Sequence, residues 1–397
     1  MSNRPPPGGT TEIFLTFLKL GCISFGGPVA HIGYFHSEFV NRRKWIDGHA
    51  FADLVALCQF LPGPASSQVG IALGLSRGGY TGAIAAWFGF TLPSAVLLFL
   101  FGIGLVKFGT NIPAGALHGL KIAAVAVVAQ ALWTMANKLC PDKERLTIAL
   151  VAATLAVALP STIGQVAAIV FGAAAGLMIF RNTDEGELPA ASAGHGSHIV
   201  AVIALVLFFA LLSGLPVLAR LLDRHDVRLL DAFFRAGALV FGGGHVVLPL
   251  LQSETVQSGW VSRDAFMAGY GVAQAIPGPL FTFTAYLGAI STGEPNGILG
   301  ALICLAAAFL PSFLLVFGVF PFWEQLRRRK SMRSGMVGIN AAVVGLLLCA
   351  FYNPVWISAI GSAPDFLIAA SAFVSLVFWK IPPWAIVGLC AVTRIFL

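Results

Sequence analysis

Charge is what this sequence has least of. Of its 397 residues only 10% are Asp, Glu, Lys or Arg, while 57% are apolar. A soluble domain covers its surface with about a quarter charged residues. That shortfall argues against a soluble enzyme, a nucleic-acid binder and a disordered scaffold. Strand-like alternation is also missing, and the long unbroken apolar runs rule out an outer-membrane barrel. Paired cysteines are missing too. Cys22, Cys58, Cys140, Cys304, Cys349 and Cys390 are scattered, with neither metal-ligand spacing nor a disulfide framework. There is no catalytic triad, no paired-carboxylate site and no Gly-Lys-Ser/Thr phosphate loop, so neither an enzyme nor an ATP-driven pump is expected. No cofactor, metal or nucleic-acid partner is implied, and Met1 to Gly9 lacks the layout of a cleaved signal peptide.

What is present is hydrophobicity and glycine. The mean hydropathy is +0.86 and there are 44 glycines, which are commoner in membrane helices than in soluble ones. The reading is an all-α, polytopic membrane protein with the lipid bilayer as its solvent. The net charge of +7 is explained by basic cytoplasmic loops, without an anionic partner.

Self-comparison organises the chain. Phe17-Leu18-Lys19-Leu20-Gly21 through Ser24-Phe25-Gly26-Gly27-Pro28 matches Phe233-Phe234-Arg235-Ala236-Gly237 through Val240-Phe241-Gly242-Gly243-Gly244. Glu38 matches Glu254, and Trp45 matches Trp260. Gln59 to Pro64 matches Gln274 to Pro279, Pro93-Ser94 matches Pro311-Ser312, and Val127-Val128 matches Val343-Val344. The offset stays near 216. Residues 1–190 form a first repeat, 191–224 a polar linker with one extra apolar segment (Ile199 to Leu218), and 225–397 a second repeat.

One extra crossing between repeats that each cross an even number of times inverts the second. Lys and Arg set orientation, and they change sides between equivalent loops. Arg42-Arg43-Lys44 and Lys138 to Arg145 are basic where their counterparts are not, and Arg327 to Arg333 is basic where its counterpart is nearly uncharged. Arg220, Arg224, Arg228 and Arg394 fit this scheme poorly, falling on the outer side. Residues 12–25 with 29–43, and 50–61 with 65–76, predict two broken, re-entrant hairpins, because no arm reaches the roughly 20 residues needed to span. Crossings are predicted over 80–106, 114–137, 145–160 and 163–180.

Breaking a helix in lipid frees backbone groups, which is tolerated where they line a cavity or are buried in protein. At Pro62-Gly63-Pro64, Pro64 suits the start of a new helix. The N–H groups of Ala65, Ser66 and Ser67 then face the break, as an anion site requires. Pro277-Gly278-Pro279 repeats this with Leu280, Phe281 and Thr282. Gly26-Gly27-Pro28 and Gly242-Gly243-Gly244 can form concave backbone nests, which also favour anions. The bland alternative is tight turns packing hairpin tips. Lys19 and Arg235 are equivalent intramembrane cations that could neutralise a dianion or snorkel to the headgroups. Glu38 and Glu254 are duplicated acids, either proton carriers or solvated hairpin ends. His31 and His245 flank the glycine turns without being equivalent, and each is a proton-relay candidate. Lys121 corresponds to Val337, and Asn340 to Ala124.

On Phe25-Gly26-Gly27-Pro28 with Phe241-Gly242-Gly243-Gly244, on the two Pro-Gly-Pro turns and on the duplication, the sequence resembles the chromate ion transporter family in its long, two-domain form. The resemblance covers nearly the whole chain. It implies proton-linked export of chromate across the bacterial inner membrane, and chromate resistance. Sulfate, another oxyanion or an anion channel remain alternatives, since chromate is a tetrahedral dianion like sulfate. A homodimer is one assembly open to such a chain. Gly244 stands where the first half has Pro28, so the halves need not contribute equally.

Overall fold

The protein is described by a computed structural model covering residues 9–108, 113–159, 162–180, 197–241, 247–323 and 329–396. Among these, every regular element is helical. The first repeat comprises α1 (Thr10–Ile23), α2 (Gly27–Phe35), α3 (Gly48–Phe60), α4 (Ala65–Phe108), α5 (Ala114–Leu139), α6 (Lys143–Ala158) and α7 (Thr162–Ile179). The linking helix α8 (His198–Leu222) follows. The second repeat comprises α9 (His225–Ala238), α10 (Val247–Thr255), α11 (Arg263–Ala275), α12 (Phe283–Ile290), α13 (Gly297–Val319), α14 (Lys330–Ala350), α15 (Ala363–Val377) and α16 (Pro383–Phe396). Among the described residues, five helical stretches are long and apolar enough to cross a membrane: Ala65–Phe108, Ala114–Leu139, His198–Leu222, Gly297–Phe322 and Lys330–Ala359.

The repeat shows in local detail. Helices α3 and α11 each have 13 residues. Each starts on a side-chain cap, Asp47 accepting from the Ala50 N–H and Ser262 from the Ala265 N–H. Both end at a Pro-Gly-Pro turn. Helices α1 and α9 each have 14 residues and pack on α4 and α13 respectively. Gly21 and Gly237 permit that approach. A Cβ on Gly21 would stand 2.7 Å from the Phe90 carbonyl oxygen, and one on Gly237 would strike the Ala308 carbonyl oxygen. Pro93 and Pro311 lie inside α4 and α13 just beyond those contacts.

The expected hairpins are present, with one difference. The 65–76 arm does not end in a loop. It turns into the following crossing at Gly78 and Gly79, the latter with φ +64°. The second repeat makes the same bend with a separate loop between α12 and α13, and Gly297 at φ +55° holds the equivalent position. The arms close tightly in both halves: a Cβ on Gly74 would strike the Gly82 carbonyl oxygen, and one on Gly288 that of Gly300.

The later helices are exchanged. Helix α5 packs on α15 and α16 of the other repeat, while α14 packs on α6 and α7. Such reciprocal contact is the mark of a two-fold arrangement. Small residues allow it: a Cβ on Gly119 would strike the Cys390 carbonyl oxygen, and one on Gly338 that of Gly172. Helix α8 stands outside this pattern. It lays Ala201, Ala204, Phe208 and Ala219 inward on the α9 and α13 side and leaves Ile199, Val206, Phe209 and Leu221 exposed.

Candidate functional site

The two Pro-Gly-Pro turns meet the opposite repeat. The Gly63 N–H donates to the Val240 carbonyl at 2.6 Å, and the Gly278 N–H donates to the Ser24 carbonyl at 2.9 Å. Ser24 and Val240 are equivalent positions, each beside its own glycine break. The surroundings are exchanged as well. A Cβ on Gly63 would stand 2.9 Å from Ser312 Oγ, and one on Gly278 2.7 Å from Ser94 Oγ. Both glycines need left-handed backbone, with φ +125° and +103°, which side-chain-bearing residues rarely adopt. So the breaks are neither isolated hairpin tips nor independent sites. They interlock the repeats at one centre, and the Gly63 and Gly278 N–H groups are spent on that interlock.

On the first-repeat side the centre is polar. Pro64 precedes α4, and its carbonyl accepts from the Gln68 N–H at 3.0 Å. The N–H groups of Ala65, Ser66 and Ser67, the first of the helix, have no acceptor within it. His31 Nδ1 lies 3.2 Å from Ser66 Oγ, and Nε2 lies 3.1 Å from the Ser24 carbonyl. A carbonyl only accepts, so Nε2 carries the hydrogen, and Nδ1 of the neutral ring accepts from the Ser66 hydroxyl. Gln68 Nε2 donates to the Pro62 carbonyl at 2.6 Å. Around these bonds Ser24 Oγ, Ser67 Oγ, Gln68 Oε1 and Ser312 Oγ are buried without a protein partner, as is Thr91 Oγ1, one turn before Ser94 on α4. Each such group costs about 1–3 kcal/mol, a cost expected where a polar ligand is to be held. Gly26 and Gly27 both have positive φ, and a Cβ on Gly27 would meet nothing within 4 Å.

On the second-repeat side the same positions are apolar. Leu280, Phe281 and Thr282 form a single 3-10 turn before α12. The Thr282 hydroxyl donates to the Pro279 carbonyl of its own turn at 2.6 Å. Phe281 packs against Phe309, and Phe283 against Phe266, Tyr270 and Tyr286. Val247 stands near the place His31 takes in the first half. Gly242, Gly243, Gly244 and His245 lie outside the described residues.

The charged candidates sit away from this centre. Lys19 is on the exposed face of α1 with Leu15, Cys22 and Ile23. Arg235 is held by two carboxylates: it donates to both oxygens of Asp231, at 2.9 and 2.8 Å, and of Glu254, at 2.9 and 3.1 Å. Glu38 lies in a π-helical turn, His36–Arg42, that extends α2. That turn brings two guanidinium groups to it, Arg42 at 2.7 Å and Arg43 at 2.6 Å. Burial would raise the Glu38 carboxyl, but the hydrogen bonds from Arg43 and Arg42 outweigh it and hold the group below the usual range. Glu38 is therefore ionised at neutral pH in this arrangement.

Gln68, Thr91, Ser94 and Ser312 are members of the centre that sequence reasoning did not single out. For two of them the signal was present: Pro93-Ser94 and Pro311-Ser312 are duplicated. Gln68 and Thr91 carry no such mark, because small polar residues are common in membrane helices.

A family model described as chromate transporter matches residues 11–178 and 227–395. The chain belongs to the chromate transporter family. It is 30% identical over 352 residues to a chromate transport protein of Pseudomonas aeruginosa, covering 86% of this chain and 80% of that one. A chromate transport protein of Cupriavidus metallidurans is 27% identical over 371 residues, covering 87% and 86%. A probable chromate transport protein of Synechococcus elongatus is 26% identical over 368 residues, covering 92% and 88%. No solved structure matches this chain. Both family matches fall on the two repeats, and each includes its Pro-Gly-Pro turn.

Proposed function

We propose that this chain carries chromate across the bacterial inner membrane by secondary-active efflux, in exchange for protons, and so confers chromate resistance. Membership of the family supports chromate as the cargo. The observation that carries the site is the buried set of unpartnered hydroxyl and amide groups at the start of α4. The free hydroxyls are those of Ser24 and Ser67 of the first repeat and Ser312 of the second, beside Ser66, whose hydroxyl is bonded to His31, and Gln68, whose amide N–H is bonded to the Pro62 carbonyl. Hydroxyls and free helix N–H groups suit a tetrahedral dianion without burying a full counter-charge. Pro62, Gly63, Pro64, Pro277, Gly278 and Pro279 hold the geometry. Gly26, Gly27 and Pro28 belong to the approach, while Lys19 lies away from it on the exposed face of α1. The outward direction has a physical basis: an inside-negative potential of 100 mV favours expulsion of a dianion by about 4.6 kcal/mol, twice the single-charge value.

Among the described residues His31 is the titratable side chain in direct contact with this set, so the coupled proton is assigned to it. Glu38, Glu254 and Arg235 are committed to ion pairs and are assigned to holding the hairpins.

Energised everted vesicles should accumulate labelled chromate above vector-control vesicles, and absence of that accumulation would refute the reading. His31→Gln should leave downhill flux while flattening its dependence on the pH gradient. A second reading, a sulfate or general oxyanion transporter, is favoured by the donors themselves, which offer nothing that separates chromate from sulfate. Displacement of chromate by equimolar sulfate would support it. Dissipation without accumulation would indicate a channel.

A further inference from the structure

Away from the Pro-Gly-Pro turns the two repeats part around an open cavity of about 680 Å³. The starts of α5 and α11 and the ends of α4 and α16 build its wall, so both repeats contribute. The chain around this end, Gln257 to Arg263 and Tyr352 to Asp365, carries one basic residue, Arg263, and Lys107 lies near the end of α4. Helix α5 runs from this cavity to the basic segment Lys138 to Arg145 at its other end. By the rule that basic loops stay inside, the cavity opens outward.

Four charged or titratable side chains line it: His118, Lys121, Asp264 and Arg394. Lys121 Nζ donates to Asp264 Oδ1 at 2.6 Å. Asp365 stands behind the wall with its side chain 3% exposed, 3.1 Å from His118 Nε2 and 3.0 Å from Arg394 Nε. Its Oδ2 accepts from the Gly361 N–H and the Ser362 hydroxyl. Asp365 is thus fixed and aims His118 and Arg394. Asp264 differs: its side chain is 75% exposed while that of Lys121 is 12% exposed. The carboxylate lies on the water side of the pair, and the lysine side chain is largely covered.

We propose that this cavity is an outer docking site for a doubly charged tetrahedral oxyanion. Lys121 and Arg394 are its donors, with His118 in the wall beside them, and Asp264 occupies Lys121 until the anion displaces it. The inference rests on the oxyanion-transport reading and adds a second site to it. An ion pair with a solvent-exposed partner is weak and screened, so a dianion that also gains Arg394 wins the exchange. The volume admits the anion with part of its water. The repeat does not require these residues, since the corresponding positions are Ser334, Val337, His49 and Met178. This also gives a role to Arg394, the cation that the distribution of basic residues left unexplained.

The test uses the full chain without its native cysteines and with Leu117→Cys, a partly buried lining position. Labelling by a membrane-impermeant maleimide is timed in right-side-out vesicles against rising sulfate, with ionic strength held by chloride. Sulfate should slow labelling. Lys121→Gln should raise the half-protecting concentration by roughly tenfold or more, the loss of one charge-assisted hydrogen bond. Asp264→Asn should lower it several-fold. Protection that ignores both substitutions, or that Asp264→Asn weakens, overturns the site, as does labelling confined to everted vesicles. Chromate transport by the native chain is measured in the same membranes. Transport without protection removes the docking site alone, and protection without transport removes the transport reading alone.

Discussion

Glu38 and Glu254 occupy equivalent positions and are neutralised in different ways. Glu38 takes its partners from its own next turn, Arg42 and Arg43, because a π-helical turn brings residue 43 over residue 38. Glu254 has Ser258 and Gly259 at those places and reaches back instead to Arg235 on α9. Asp231 joins that pair where the first repeat has the exposed Leu15. Lys19 is thereby released from the duty that its counterpart performs. The same divergence runs through the centre, where the first repeat supplies hydroxyls and the second supplies phenyl rings. Duplication preserved the positions that make the interlock and left the remaining polar positions free to specialise.

Breaking the interlock should have the largest effect, and it should be symmetric. Gly63→Ala and Gly278→Ala each force a side chain into left-handed backbone, a strain of about 1–3 kcal/mol. Each also sets a methyl against Ser312 or Ser94. Both should abolish transport and lower the melting temperature in detergent; an effect from only one of them would mean that the turns are not mutually dependent. The donors should behave asymmetrically. Ser66→Ala with Ser67→Ala should lower chromate flux by roughly 10–100-fold, the range for hydrogen bonds to a charged group. Thr282→Ala, which removes a hydroxyl spent on its own turn, should change initial rates less than about twofold.

The cations sharpen the comparison further. Arg235→Gln leaves Asp231 and Glu254 facing each other, half-screened, and should destabilise the fold by about 1–3 kcal/mol. Lys19→Gln should stay within about 0.5 kcal/mol, as exposed substitutions do. Thermal unfolding of both variants checks this, and equal losses would show that Lys19 has a partner in the membrane. The smallest effect concerns pH. The Glu38 carboxyl is held below its ordinary 4.5. Its contribution is therefore present above that value and lost as pH falls through the folded pKa. The Arg42 guanidinium is exposed, so the pair is worth about 1 kcal/mol or less. Glu38→Gln should remove that part of the acid destabilisation and leave the part that belongs to the other carboxylates held low, such as Asp226; a stability–pH profile identical to that of the native chain would show that the Glu38 pair contributes nothing.

Much of this was legible in the chain. The helices, the broken hairpins and the linking crossing follow from apolar runs, proline and glycine, which act locally. The two Pro-Gly-Pro turns and the glycine breaks were visible because duplication marks them. Ser66, Ser67 and His31 were legible as neighbours of those breaks. The unequal division of roles between equivalent positions was not. Thr282 looks equivalent to Ser67 in sequence, yet its hydroxyl is consumed three residues away. Arg235 looks like a substrate cation until Asp231 and Glu254 are seen on either side of it. Gln68 and Thr91 gave no signal, because a polar residue in a helix declares itself only when the groups around it are known.

The scarcity of charge, read with the repeat, is enough to make this a two-fold membrane protein of broken helices. Those properties depend on composition and on local backbone chemistry, which every residue carries with it. Which repeat meets which turn is another matter. That Gly63 bonds to Val240 rather than to its own glycine break, and that α5 lies on α15 and α16, depends on contacts between residues far apart in the chain. Only the closely packed tertiary structure sets these contacts, because small residues allow the backbones together in that one arrangement and the remaining polar groups take whatever partners it leaves them.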